Sequence, residues 1–390
     1  MHLDVRTTFA LTAFTAFILN GGLIVTARAC SGRVNGVGRW AAACAGEALG
    51  WGLLGLRGFV PDILSIVVVN TLVLLAAATY YHALKEFYDE PPKARVPYAL
   101  AALAAVALSY FSFVKPDMAA RVAIVSLIGA ALTLLCARTL LRGPRRQSTI
   151  SRVIGCDFLG CGLALLARLF TLLFLSGGAR QSYLAPDMAQ AAVYLGGYAC
   201  LVVLTVGFLL LCNERLNQDL LWLATRDSLT GAYNRRTIEE LAHKEVSRRR
   251  RVGLSATVLL VDLDHFKSIN DTHGHATGDA VLKEFVATAA GQLRAQDMLG
   301  RYGGEEFLIV LPDTAREQAS AAAERLRAAV SALMLDVGTQ RVRVTVSIGV
   351  AEFSGDDHTL DTILERADAA LYEAKAQGRN RITFGQRLAS

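Results

Sequence analysis

Cysteine is absent from everything beyond Cys212. That excludes a thiolate-held zinc or a thiol nucleophile from the C-terminal half. The seven cysteines present (Cys30, Cys44, Cys136, Cys156, Cys161, Cys200 and Cys212) fall in the N-terminal half or at its edge, and none shows a Cys-x-x-Cys spacing. Most of them read as small apolar packers. Charge is the second scarcity. Up to about Asn213 the chain is a succession of long apolar runs with short polar breaks. No basic region precedes the first run and more runs follow it, which argues against a cleaved signal peptide. Motifs that read RNA or DNA are missing too. The net charge of +6 is accounted for by basic loops beside anionic lipid, and no nucleic-acid polymer is expected as a partner.

The apolar half is expected to be an all-α helical membrane bundle over 1–212. Seven segments of spanning length are centred near Ile18, Ala48, Leu72, Ala104, Ile128, Leu165 and Val203, each close to the roughly 20 residues a hydrocarbon core requires. The second is the weakest, because it holds Glu47 and several glycines. Arg28, Arg33 and Arg39 follow the first segment; Lys85, Lys93 and Arg95 follow the third; Arg142, Arg145, Arg146 and Arg152 follow the fifth. The alternate loops, around Arg57, Lys115 and Arg180, carry little positive charge. This bias places the N-terminus outside and the C-terminal half in the cytoplasm, which an odd number of spans makes self-consistent. Six spans would require a re-entrant segment and an internal N-terminus. Glu47, Asp157 and Arg168 are costly inside such a bundle and either shape a ligand pocket or join helices as polar glue. Repeat symmetry and paired broken helices are not evident, which counts against a transporter.

Residues 213–226 form a helical linker. Leu209, Leu216 and Leu223 are seven apart, with Leu220 completing a seam. The pattern suits a short parallel coiled coil, too brief to be stable alone, or a single amphipathic helix lying on its own domain.

From Asp227 to Ser390 the pattern becomes α/β. Asn234 is placed to cap a helix that runs to the basic stretch Arg248–Arg251. Ala256–Asp264 is a continuous apolar strand ending in two acids, a common way to deliver metal ligands. Lys267 follows it closely. Ser268 to Asp279 shows no hydrophobic period before a helix from Ala280 to Leu293, and its polar groups suit reading a base edge. Guanine offers adjacent N–H donors that an aspartate matches. Asp297–Gly300 and Phe307–Leu311 read as strands joined by a hairpin, Gly303 and Gly304 supplying positive φ angles. Glu305 and Glu306 then stand at the turn. A helix from Ala315 to Leu333, a strand pair around Val342 to Phe353, and a helix from Leu360 to Ala376 stopped by Gly378 complete the pattern.

The segments Asp227-Ser-Leu-Thr-Gly-x-x-Asn-Arg-Arg236, Asp262-x-Asp-x-Phe-Lys-x-x-Asn-Asp271, Gly274-His-x-x-Gly-Asp279, Arg301-x-Gly-Gly-Glu-Glu-Phe307 and Ala374-Lys-x-x-Gly-Arg-Asn380 resemble the GGDEF family in order and spacing, from about Leu223 onward. The resemblance implies a nucleotidyl-cyclase or palm-like mixed sheet with flanking helices over 227–390, and the activity of a bacterial diguanylate cyclase: two GTP condensed to cyclic di-GMP with release of two pyrophosphates. It implies Mg²⁺ held by Asp262, the Leu263 carbonyl and Glu305, with Glu305 also accepting the 3′-hydroxyl proton and Glu306 filling the next motif position. Asn270 and Asp279 would contact guanine with His275 close to the substrate, and Lys267, Lys375 and Arg379 would face the phosphates. Arg294 and Asp297 sit at the spacing of the family's product-inhibition site, with Arg325 as a secondary contact. The implied setting is a homodimer in the bacterial inner membrane, regulated through dimerisation. The alternative is a non-catalytic cyclic di-GMP receptor. No cyclic di-GMP hydrolase domain is expected, since the last motif lies close to Ser390.

Overall fold

The computed structural model describes residues 5–29, 34–90, 95–142, 148–174, 188–252, 255–337, 340–353 and 359–386, and among these described residues seven α-helices follow one another through the apolar half. Cys30, Arg33, Lys93, Arg145, Arg146 and Arg180 lie outside these residues. The chain falls into two compact units, Met1–Gln218 and Asp219–Ser390.

The first unit comprises α1 (Val5–Ala29), α2 (Val37–Gly55), α3 (Val69–Phe87), α4 (Val96–Ser109), α5 (Met118–Leu141), α6 (Thr149–Phe174) and most of α7 (Met188–Thr225). A π-helical turn, Ile63–Val68, leads into α3 and another, Tyr110–Val114, extends α4. All seven expected segments are helical. Among the described residues, however, five helices are long and apolar enough to cross a membrane: Ile63–Phe87, Val96–Val114, Met118–Leu141, Thr149–Phe174 and Gly196–Thr225. The apolar stretch within α1, Ala13–Thr26, is shorter, and α2 is interrupted by Arg39 and Glu47. The helices meet around Trp40, fully buried and stacked on Phe208 at 3.9 Å between ring centroids. Tyr80 and Phe158 close on the same indole. Glu47 is not left bare, since the Tyr80 hydroxyl donates to its Oε2 at 2.8 Å. Arg168 is exposed farther along α6. Leu209 and Leu216 pack into this helical core, so the upper half of the leucine seam is already committed. Leu220, Leu221, Trp222 and Leu223 are all exposed.

The second unit comprises α8 (Arg235–Val252), β1 (Ala256–Leu263), α9 (Phe266–His273), α10 (His275–Gln292), β2 (Met298–Arg301), β3 (Glu306–Pro312), α11 (Arg316–Ser331), β4 (Met334–Val337), β5 (Gln340–Arg343), β6 (Val346–Glu352), α12 (Leu360–Ala376) and β7 (Ile382–Phe384). The main sheet runs β2-β3-β1-β6-β7, antiparallel except for the parallel β6–β7 edge. Every residue of the central strand β1 is buried, which explains its unbroken apolar run. Its side chains divide by period two. Leu259, Val261 and Leu263 join Phe285, Phe307, Ile309 and Leu326 on one face; Val258 and Leu260 join Ile238, Leu308, Val310 and Leu371 on the other. Both cores are built entirely from this unit's own residues. Asn234 caps α8, its Oδ1 accepting from the Thr237 N–H at 3.0 Å.

Two expectations need correction. Ser268–His273 and His275–Gly278 are helical: α9 buries only Phe266 and Ile269, and Gly274 at φ 82 separates it from α10. Two apolar contacts in eight residues are too few to print a period. The strands near Val342–Phe353 do not pair with each other. β5 pairs with β4 in a separate ribbon, while β6 joins the main sheet beside β1.

Candidate active site

The site gathers at the end of β1. Antiparallel pairing sets Asp262 opposite Glu306 on β3 and opposite Ser347 on β6. The β2–β3 hairpin closes through Tyr302 and Gly303, whose N–H groups donate to the Glu306 carbonyl at 2.8 and 3.1 Å. Neither Gly303 nor Gly304 adopts the positive φ expected of them. Glycine serves another purpose here. A Cβ on Gly303 would stand 2.7 Å from Glu306 Oε2, whereas a Cβ on Gly304 would meet nothing within 4 Å. The first glycine makes room for a carboxylate, and the second leaves bare backbone facing open space. Arg301 fixes the turn, donating from Nη2 and Nε to the Gly304 carbonyl at 2.7 and 3.1 Å and from Nη1 to Asp227 at 3.2 Å. Asp227 also accepts from the Thr230 N–H and hydroxyl at 2.9 and 2.7 Å. Burial works against its charge, but the bonds from Thr230 and the Arg301 guanidinium outweigh it and hold the carboxyl below its usual range.

Lys375 Nζ pairs with Asp262 Oδ2 at 2.7 Å. Burial nevertheless pushes the Asp262 carboxyl up, Lys375 opposing it and the Asp264 charge adding to it. Glu305 is raised as well, by burial and then by the Asp262 charge. The backbone ties the two strands here, the Leu263 N–H donating to the Glu305 carbonyl at 3.3 Å. Asp262, Glu305 and the Leu263 carbonyl are all hard oxygen donors. Burial, with the neighbouring carboxylate charges adding to it, disfavours ionised Asp262 and Glu305, and a small divalent cation relieves that cost, so these residues fit Mg²⁺.

Asp264 does something else. It is buried, and accepts from the Thr345 and Ser347 hydroxyls at 2.7 Å each and from the Asn380 N–H at 3.0 Å. It thereby anchors the segment carrying Arg379 and Asn380, both at positive φ. Arg327 on α11 also reaches Asn380 Oδ1, at 2.8 Å. Spacing pointed to neither Asp264 nor Arg301 as an organiser, because the partners of Asp264, and Asp227 for Arg301, are distant in sequence. The arginine two residues ahead of the two glycines was the one signal available.

Lys267 is exposed on the first turn of α9, with Asn270 on the same helix. Asn270 Oδ1 is buried without a hydrogen-bond partner, and a Cβ on Gly278 would stand 1.9 Å from it. His275 and Asp279 are exposed, one turn apart on α10, on one helix face. Arg379 is exposed past α12. Farther on, Arg294 and Asp297 form a self-closed turn: Asp297 Oδ2 accepts from the Arg294 N–H at 2.8 Å and the Asp297 N–H donates back at 3.0 Å. Asp297 Oδ1 is buried without a partner. The Arg294 and Arg325 side chains are exposed.

Residues 224–381 match the family described as diguanylate cyclase, GGDEF domain. This part of the chain is a GGDEF domain. Response regulator PleD of Caulobacter vibrioides is 45% identical to it over 162 residues, which cover 41% of this chain and 36% of PleD. Diguanylate cyclase DgcP of Pseudomonas aeruginosa is 42% identical over 159 residues, covering 41% of this chain and 24% of DgcP. The chain thus spans roughly a quarter to a third of the length of these curated relatives. The solved GGDEF domain of DgcB from Caulobacter crescentus, in complex with c-di-GMP, is 34% identical, covering 42% of this chain and 94% of that one, with a TM-score of 0.41. In this GGDEF domain the motif reads Gly303-Gly304-Glu305-Glu306-Phe307, with glutamate at both acidic positions.

Proposed function

We propose that the chain is a membrane-bound diguanylate cyclase that joins two GTP into cyclic di-GMP and releases two pyrophosphates. The observation carrying this reading is the pair of carboxylates, Asp262 and Glu305, present at adjoining strand ends and held so that burial first, and neighbouring charge second, makes each resist ionisation. Each domain would hold one GTP, and two domains would meet face to face, since one half-site cannot close a ring of two nucleotides.

In each half-reaction a 3′-hydroxyl oxygen bonds to the α-phosphorus of the other GTP while the bond to pyrophosphate breaks. Glu305, whose carboxyl is pushed up by burial and then by the Asp262 charge, takes the hydroxyl proton. Asp262, Glu305 and the Leu263 carbonyl would hold Mg²⁺, which when bound lowers the hydroxyl pKa and offsets charge on the departing pyrophosphate. Lys267, Lys375 and Arg379 face the phosphates. Asn270 and Asp279 read guanine, and the unpartnered Asn270 Oδ1 suits a base N–H. His275 lies beside the substrate, and Glu306 shapes the turn against Gly303. Cyclic di-GMP returns to Arg294, Asp297 and Arg325 as a feedback inhibitor, the orphaned Asp297 Oδ1 accepting from guanine.

The helical region 1–212 is a multi-pass sensory module of the bacterial inner membrane, with seven spans, the N-terminus outside and the GGDEF domain at 227–390 in the cytoplasm. The linker 213–226 pairs two chains and sets how their domains meet. The alternative, a non-catalytic cyclic di-GMP receptor, is disfavoured by the acids retained in the hairpin.

The test uses the piece from Asn213 onward, whose cores are self-contained, beside Glu305→Ala and Arg294→Ala. With GTP and Mg²⁺, wild type should yield cyclic di-GMP, Glu305→Ala none, and Arg294→Ala a longer-lasting burst. No product from wild type fused to a strong dimerising coiled coil, while cyclic di-GMP still binds, would make the chain a receptor.

A further inference from the structure

A second group of chemically active side chains lies in the helical unit, and the GGDEF chemistry uses none of it. Asp157 and Cys161 stand one turn apart on the same face of α6, and Cys200 approaches them from α7. Their carboxylate oxygen and two sulfurs all lie within 4.8 Å of one another. Asp157 Oδ2 is buried without a hydrogen-bond partner. A carboxylate within an apolar helix bundle is expensive, and the oxygen left without a hydrogen bond can be compensated by a cation. The helices are held close beside this cluster by Gly207, where a Cβ would stand 2.6 Å from Ile154 Cγ1.

We propose that Asp157, Cys161 and Cys200 form a binding site for a thiophilic divalent cation of the zinc class. Two sulfurs and one oxygen select against Mg²⁺ and Ca²⁺, which demand oxygen shells, and suit a borderline-soft ion. Three protein donors leave a fourth tetrahedral position for water or a further ligand. Charge balance suits an apolar setting. Binding displaces one proton from each thiol, so two protons leave as one dication enters and the net charge of the cluster is unchanged. All three residues are only half-buried, which leaves a path for the ion. Occupancy ties α6 to α7, the helix that runs on to Thr225.

The test uses the full chain in lipid nanodiscs, reduced and stripped of metal, with Co²⁺ as the probe. Wild type should bind one equivalent and show thiolate-to-cobalt charge-transfer absorption that Zn²⁺ abolishes. Cys156→Ser, which removes an exposed thiol on the same helix, should change nothing. Cys161→Ser and Cys200→Ser should each weaken binding by at least about tenfold, and together remove the charge-transfer band. Asp157→Asn should weaken binding but keep the band. If the variants do not fold, wild type alone suffices: Zn²⁺ should protect Cys161 and Cys200, and not Cys156, from maleimide labelling mapped by mass spectrometry. No charge-transfer band in wild type, a band that survives in the double variant, or equal labelling with and without Zn²⁺ overturns the site. None of these readouts depends on cyclase activity, so failure here leaves the proposed GGDEF chemistry untouched.

Discussion

Burial and the neighbouring Asp262 charge both disfavour the ionised form of Glu305, so the folded chain holds that proton more tightly than the unfolded chain does. An acid whose folded pKa lies above its unfolded pKa costs stability at neutral pH, and the cost disappears as pH falls through the folded value. Glu305→Gln is therefore expected to raise the melting temperature of the metal-free domain at neutral pH while abolishing product. The gain should shrink in acid, where wild type is protonated too. A lower melting temperature at neutral pH would contradict this. Asp264 serves as an anchor. Its three accepted bonds are internal, and Asp264→Ala is expected to cost about 2–4 kcal/mol in urea unfolding by leaving buried donors unpaired. Asp262 and Asp264 looked alike in sequence, two apart at the end of one strand. What separates them is a set of neighbours some 80 to 116 positions away, which no local pattern encodes.

Elements that pack through strong periodicity were legible in the sequence; those held by polar or backbone contacts were not. β1 showed itself as an unbroken apolar run and α12 as Leu360–Ala376 with Gly378 after it. The α9–α10 pair did not, because its first helix rests on two apolar side chains and on the meeting of Gly278 with Asn270. The β4–β5 ribbon was hidden as well, being partly exposed and polar. The hairpin was recognised for a partly wrong reason: Gly303 is needed for space beside Glu306 and not for a left-handed turn. Gly278→Ala tests the helical contact. The methyl must displace Asn270, so KM for GTP should rise by roughly tenfold, about 1.4 kcal/mol, with a smaller change in kcat. An unchanged KM would mean that Asn270 does not touch the nucleotide. Gly349→Ala is expected to act on folding instead. Its Cβ would stand 2.0 Å from the Ala367 carbonyl oxygen and 2.5 Å from the Leu371 nitrogen, and backbone cannot yield as a side-chain tip does. A loss of about 2 kcal/mol or more follows, read by denaturant midpoint.

For the molecule as a whole, the change from apolar runs to mixed composition was plain, and the chain does fall into two compact units. Span number was less legible. Length and hydropathy qualify five helices among the described residues, because a helix such as α2 can pair Arg39 and Glu47 with other helices in contacts that a hydropathy window counts only as polar. Arg39 pairs with Glu86 at 2.6 Å, and Glu47 accepts from Tyr80. The leucine seam was legible as a period, but not in its division: Leu209 and Leu216 serve the helical core, while Leu220 and Leu223 are free to meet another surface.

That leaves an apolar collar of four consecutive residues, Leu220 to Leu223, with 54%, 64%, 47% and 58% of their surfaces exposed. So short a seam would hold two chains together only weakly in dilute solution. Chains confined to a bilayer diffuse in two dimensions, where the same weak affinity faces a far higher effective concentration. Output per copy should then climb with the surface density of the protein and level off once most copies are paired. Replacing Leu220 and Leu223 by serine should move that rise to higher density without changing its plateau. A cell carrying this chain would be reading, along with any outside stimulus, how crowded its own membrane has become.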